Sequence, residues 1–285
     1  KGSWTGRYPN AVIHLNGTLY YGTRLTANNG TMYPAGPNAG YHVSYDAGTN
    51  WTMSPYGPSS YLFGTQDPPS GPYLATRFGQ TYLVDYGKNQ QYSPDGKIYL
   101  VSAGSPVSDP DPGAFADDDV YLCRVSAENL NNPAGYEYYA GGGNWSTSLS
   151  AAQPIVSWGN HISAAAVTWF PGLNKYIMSC HKAHGWYNES GIRMVGKFDT
   201  FILESDSLTG PYRLVQYWTD FGQQGYYPNI PSKFVSADGK TAWLWYGSNY
   251  NSDGMPLIED PFGSGYRMVQ QELRFLTPAE MAVAP

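Results

Sequence analysis

Apolar positions along this chain never hold a 3.6-residue period long enough for a proper helix. The apolar stretches are short, and 33 Gly and 22 Pro punctuate the chain throughout. The pattern predicts an almost entirely β protein. One unit recurs: strand, tight turn, aromatic strand. It is seen from Tyr8-Pro9-Asn10 as AVIHLNGTLYYG, from Tyr82 as YLVDYGKNQQYSPDGKIYLVSAG, from His161 as HISAAAVTWFPGLNKYIMSC and from Tyr227-Pro228-Asn229 as IPSKFVSADGKTAWLWYG. The copies turn at Asn16-Gly17, Asp95-Gly96, Gly172-Leu173-Asn174 and Asp238-Gly239, residues that tolerate the positive φ of a hairpin turn.

A third strand follows each hairpin (YHVSYD, DVYLCRV, TFILESD, YRMVQQEL), and in the first three copies a fourth lies near Trp51, Trp145 and Trp218. Repeated four-stranded antiparallel units are the signature of propeller blades. The expectation is an all-β protein, a single β-propeller domain over residues 1–285 with five blades around a central channel. The fifth blade is assigned either to Ser54–Gln80 or to pairing of the two terminal segments, with ELRFLT as a late strand. Ser44-Tyr45-Asp46-Ala47-Gly48-Thr49-Asn50-Trp51 matches an Asp-box turn, a structural device, so Asp46 is not a catalytic candidate.

In such a blade the connection between strands two and three returns to the face where the inner strand begins. Those connections, Thr23–Gly40, Ser105–Asp118, His181–Asp199 and Ser248–Gly265, are all long, while the opposite face has only tight turns. Long loops on a rigid scaffold are common carriers of function.

Composition narrows the partners. Aromatic residues make up 16% of the chain against 13% charged, which excludes disorder. Twenty-two acidic against 16 basic residues leave a net charge of −6, no footprint for a phosphate backbone, so nucleic acid is excluded as a partner. No apolar run approaches the roughly 18 residues that span a bilayer, and the chain begins at Lys1 without a signal-peptide pattern, as a soluble mature form would. Neither a membrane partner nor a higher oligomer is expected. Five Asn-x-Ser/Thr sequons, at Asn16, Asn29, Asn50, Asn144 and Asn188, point to secretion. Cys123 and Cys180 could form one bridge but no framework.

The loops and inner-strand starts gather the ionisable chemistry. Carboxylates, His, Arg and aromatics around a concave mouth suit a polysaccharide or oligosaccharide, because rings stack on sugar C–H faces while carboxylates and amides bond hydroxyls. Glycoside hydrolysis needs an acid for the leaving oxygen and a base or nucleophile opposite, normally two carboxylates. The catalytic candidates are Asp85, placed at an inner-strand start, Asp118 in the Asp117–Asp119 run, Glu189 within the Asn188 sequon, and His161. Asn10, Arg24, Asn160, His181, His184, Trp186, Arg193 and Asn229 are the substrate-binding candidates. Glu204 is placed toward the turn face, in a structural role. His161 with a Tyr, and Arg24 or Arg193 neutralising a uronate, would instead suit a lyase acting by β-elimination; a non-catalytic sugar-binding propeller is the third reading. No cofactor and no metal are required, although the acidic mouth could hold a calcium ion.

The fragments VDYGKN with PDGKIYLV, DDDVYLCRV with AGYEYYAGG, ESDSLTGPYRLV and FVSADGKTAWLWYG resemble, as a set, the five-bladed furanosidase-type propellers. The nearest resemblance is to a secreted group classed as domain of unknown function 4185, some of whose relatives are arabinan-degrading glycoside hydrolases. Family 43 glycoside hydrolases in that superfamily carry a base Asp on the first inner strand, a second Asp on the next and an acid Glu on the third. The resemblance puts Asp85 at the second carboxylate, while Tyr8-Pro9-Asn10 and Asn160-His161 depart from the first and third.

Overall fold

The computed structural model describes residues 6–26, 35–58, 60–63, 77–104, 117–187, 193–221, 225–248 and 267–282. The chain is a β-propeller whose described strands fall into four blades. The first blade is β1 (Gly6–Leu15), β2 (Thr18–Thr26) and β3 (Ala35–Ser44). In the second, β4 (Thr81–Asp85), β5 (Ile98–Gly104), β6 (Asp117–Val125) and β7 (Glu137–Tyr139) are followed by a two-residue β8 (Trp145–Ser146). The third comprises β9 (Pro154–Phe170), β10 (Lys175–Tyr187), β11 (Arg193–Ser205) and β12 (Arg213–Trp218), and the fourth β13 (Tyr226–Asn229), β14 (Thr241–Ser248) and β15 (Arg267–Arg274). One turn of helix, α1 (Pro278–Met281), follows. These blades are the four repeats.

Residue chemistry at the turns explains the hairpins. Asn16 (φ 49°) and Gly17 (φ 86°) both sit in the left-handed region that a two-residue hairpin of matching twist requires. At Gly172 the requirement is space: a Cβ there would lie 2.3 Å from the Asp238 carbonyl carbon, so only glycine lets the third-blade turn pack onto the fourth-blade turn. The Asp-box closes the first blade as expected. Asp46 accepts from Ser44 Oγ (2.8 Å), Asn50 N (2.8 Å) and Asn50 Nδ2 (2.7 Å), and these bonds hold its carboxyl down at about 2.

Blades pack face to face through three cores. Ile13, Tyr41, Phe78, Leu100 and Tyr136 fill the first interface, Val84, Val101, Leu122, Val167 and Phe201 the second, and Phe170, Ile177, Ile202 and Leu244 the third. Strand alternation sends Leu100 to one interface and Val101 to the next, so β5 is buried on both faces. Each such side chain contributes about 1.5–3 kcal/mol of burial. Cys123 and Cys180 are free thiols in different interfaces, the first and second respectively, and burial pushes both above the ordinary thiol range. The bridge left open by the sequence is not made.

Two features depart from a regular ring. Strand β9 pairs with β10, in parallel with β4 (Val84↔Val167) and, through its N-terminal half, with β6, so that the second and third blades merge into one curled nine-stranded sheet. The residues assigned to a fifth blade do not make one among the described residues. Ser54–Gln80 contributes only the bridge Gly57↔Ser60 there, and ELRFLT begins inside β15, the third strand of the fourth blade, where it pairs with β14; the N-terminal residues 1–5 lie outside the described residues.

Candidate functional site

The connections after β2, β5, β10 and β14 all emerge at one face, opposite the tight turns. At that face the start of β4 acts as a hub. Asn10 Nδ2 donates to the Gly79 carbonyl (3.3 Å) and Asn38 Nδ2 to Thr81 Oγ1 (3.3 Å), tying the first blade to the second. Gln80 Nε2 donates to Tyr227 OH (2.9 Å), reaching the fourth blade. The Tyr227 amide in turn donates to His181 Nδ1 (2.9 Å), and Ser179 Oγ to the Pro228 carbonyl (2.9 Å), fastening the fourth blade to the third.

Cross-strand register sets Tyr8, Arg24 and Asn38 side by side on one face of the first blade. Arg24 is buried, its guanidinium 5.2 Å from the Tyr8 ring centre. Asn38, Gln80, Thr81 and Tyr227 were not among the sequence candidates. The Tyr-Pro-Asn repeat held the available signal for Tyr8 and Tyr227, since both copies bring their tyrosines to this face.

Asp85 requires a correction. It ends β4 rather than beginning it: Thr81 lies opposite Ser102 and Leu83 opposite Leu100, so Asp85 is level with the start of β5, beside the Asp95-Gly96 turn. Its Oδ1 accepts from Gly87 N (2.9 Å) and Ser232 Oγ (2.7 Å), and its Oδ2 from Ser232 N (2.7 Å). The carboxylate brackets the second blade to the fourth at the turn face. A cleft of about 270 Å³ lined by Tyr86, Tyr99, Trp145 and Tyr176 lies at that same face, away from the long loops.

His181 is corrected as well. It is fully buried against Phe198, Tyr226 and Tyr227, beyond reach of a ligand at the mouth. Because Nδ1 accepts a backbone N–H, the ring proton sits on Nε2, which has no partner among the described residues. Burial drives the ring's pKa down to about 3, so it is neutral.

The β6–β9 pairing brings other candidates together. Asp117 lies opposite Ile162 and Asp119 opposite Ser157, so Asp118 faces the irregular stretch 158–161 that contains Asn160 and His161. The His161 ring stacks on Trp158 (centroids 4.4 Å, planes 5° apart), and Nδ1 is 2.5 Å from the Gly159 carbonyl oxygen. A carbonyl only accepts, so Nδ1 carries a proton, and in the neutral ring the lone pair is on Nε2. Asp119 is spoken for: its oxygens accept from Ser157 Oγ (2.6 Å) and Tyr121 OH (2.9 Å).

Asn229, the repeat counterpart of buried Asn10, is exposed at the end of β13. His184 and Trp186 lie on β10 and Arg193 on β11, with Tyr187 opposite Arg193; the side chains of these three, and of Asp118 and Asn160, are outside the described residues. Glu189 is outside them altogether. Glu204 on β11 is paired with Arg213 on β12. Among the described residues no group of three or more His, Cys, Asp or Glu is placed to hold a metal ion, and no helix is long and apolar enough to cross a membrane.

No protein-family model matches the sequence, and no curated protein matches it. Solved structures do match in fold. The endo-1,5-α-L-arabinanase of Thermotoga petrophila RKU-1 superposes with a TM-score of 0.52 at 11% identity, over 95% of this chain and 57% of that one. The xylan β-1,4-xylosidase of Bacillus halodurans C-125 superposes with a TM-score of 0.51 at 10% identity, over 98% of this chain and 42% of that one. The chain thus spans about half the length of these two proteins. The likeness is one of fold, shared with glycoside hydrolases.

Proposed function

We propose that the chain is a secreted glycoside hydrolase that cleaves a polysaccharide or oligosaccharide held at the loop face of the propeller. The observation that carries this reading is the β6–β9 register, which sets Asp118 against the stretch holding His161 at the loop-bearing end of the second and third blades. In this reading Asp118 is the carboxylate that exchanges a proton with the glycosidic oxygen or the attacking water. His161, with Nδ1 committed to Gly159, offers Nε2 as the proton partner. Tyr8, Asn10, Arg24, Gln80 and Tyr227 supply the ring and polar groups that orient sugar. Fold kinship with an arabinanase and a xylosidase supports the class of substrate.

The test is a polysaccharide panel read by reducing-end release. Asp118→Asn is expected to lower turnover about 10³-fold and His161→Gln about 10²-fold, within the range for positioned acid–base groups. Full activity in both variants on a glycan that the wild type cleaves would sink the assignment. An ultraviolet-absorbing unsaturated uronate among the products would mean elimination instead of hydrolysis. One observation favours a second reading, a sugar-binding propeller without turnover. Asp85 is committed at the opposite face, and Asn10, Tyr227 and His161 stand at the loop-side positions of the described inner strands where carboxylates would be expected. Glycan binding with no product from any polysaccharide would select it.

Secretion is proposed on the sequons: Asn16, Asn50 and Asn144 all lie in exposed turns. Mass spectrometry of the native protein should find glycan on at least one of them, and bare asparagine at all three would remove that support.

A further inference from the structure

We infer that the glycan bound at the loop face is acidic, and that Arg24 receives its carboxylate or sulfate group at the junction of the first and second blades. This inference rests on the saccharide reading above and specifies its substrate class.

Arg24 is only 6% exposed, yet neither Nε nor Nη1 has a hydrogen-bond partner, and no ion pair to it exists among the described residues. A buried charge without a counter-ion is costly, and a guanidinium, unlike a lysine ammonium, does not escape by losing its proton. The Tyr8 ring 5.2 Å away offers its π face but no acceptor for those two N–H groups. Among the described residues the fold offers no acceptor for those two N–H groups, and an anion from outside the chain would supply one.

The surroundings say what kind of anion. Arg24 lies between Tyr8 and Asn38 in register, and Asn38 reaches Thr81 while Asn10 reaches Gly79. Arg24 is therefore in the wall that faces the start of β4, the stretch whose Gln80 continues to Tyr227 on the fourth blade. In that wall Asn10, 9% exposed, leaves its Oδ1 without a donor. A free sulfate or chloride ion would satisfy Arg24 and bring no donor to Asn10. An acidic sugar does both, its anionic group accepting a charge-assisted hydrogen bond from the guanidinium while a neighbouring hydroxyl donates to Oδ1. The net charge of −6 opposes long-range attraction of a polyanion, so selectivity for the acid has to come from this local contact.

Calorimetric titration of the full chain with matched probes decides the matter: trigalacturonate against its methyl ester, and an O-sulfated galactose disaccharide against its desulfated form. The acidic member of at least one pair should bind ten-fold or more tighter than its neutral twin, and which pair does so separates a uronate from a sulfate ester. Arg24→Gln should abolish the preference, and Arg24→Lys should restore part of it. Should Arg24→Gln fail to fold, Asn10→Asp gives an independent reading. A carboxylate at position 10, on the strand that pairs with that of Arg24, repels an anionic sugar group, so this variant should lose the acid preference while still binding the neutral twin. Neutral glycans bound as tightly as acidic ones, or a preference that survives both substitutions, would overturn the inference and leave the saccharide reading standing. Binding of no glycan in either form would overturn the saccharide reading and this one with it.

Discussion

Asp85→Ala is expected to destabilise the fold by about 3 kcal/mol, because three donors lose their acceptor and each partly buried unsatisfied group costs about 1–3 kcal/mol. Those donors are Gly87 N, Ser232 N and Ser232 Oγ, two of them from the fourth blade. For a domain of this size the loss corresponds to a fall in Tm of about 6–12 °C. Asp85→Asn recovers only part of it, since its amide nitrogen would meet one of the Ser232 donors. Urea unfolding followed by tryptophan fluorescence measures the loss. A catalytic Asp85 makes the opposite prediction, with stability kept and turnover abolished in Asp85→Asn. That result would restore the role that the sequence suggested for it.

The second large effect is an acid sensitivity set by His181. Burial lowers its pKa from the ordinary 6.5 to about 3. The unfolded chain therefore takes up a proton near pH 6.5 that the folded chain refuses until about pH 3. Stability owed to this group is fully present above that window and falls, as pH drops through it, by about 1.4 kcal/mol per pH unit. The best-held carboxylates, Asp46 and Glu280, both lowered to about 2, lose their contribution only below their ordinary values of 3.8 and 4.5. Between about pH 6.5 and 4.5 the slope therefore comes from buried histidine, His181 together with His42, whose pKa burial also lowers, and the His181 share is read from a variant. His181→Asn, whose amide oxygen can still accept the Tyr227 N–H, should flatten the profile there. Unfolding free energies at pH 7, 6 and 5 provide the check, and an unchanged slope in the variant would show that His181 is not the sensor.

Both effects arise where reading along the chain went astray. Nothing in VDYGKN says that its strand stops after five residues, whereas β1 runs for 10 and β9 for 17. Gly87, at φ 83°, turns the chain out of β4, and Asp85 becomes a turn acceptor whose other bonds come from Ser232, 147 positions away. His181, by its sequence position, opens a long connection and counts among the substrate-binding candidates. It is a strand residue whose ring is walled in by Tyr226 and Tyr227 of the next blade.

Local chemistry repeats, and so the sequence alone determined the units: four strand–turn–strand copies, the left-handed turn residues between their strands, the Asp-box, and the single face to which the long connections return. These follow from φ preferences and alternating burial, which act over a few residues. Which end of an inner strand a given side chain occupies, which histidines are buried, and that Arg24, between Tyr8 and Asn38, keeps two N–H groups without an acceptor among the described residues were decided only by tertiary structure. Those outcomes depend on strand lengths and on registers between blades, and such pairings join residues tens to hundreds of positions apart that no local pattern encodes.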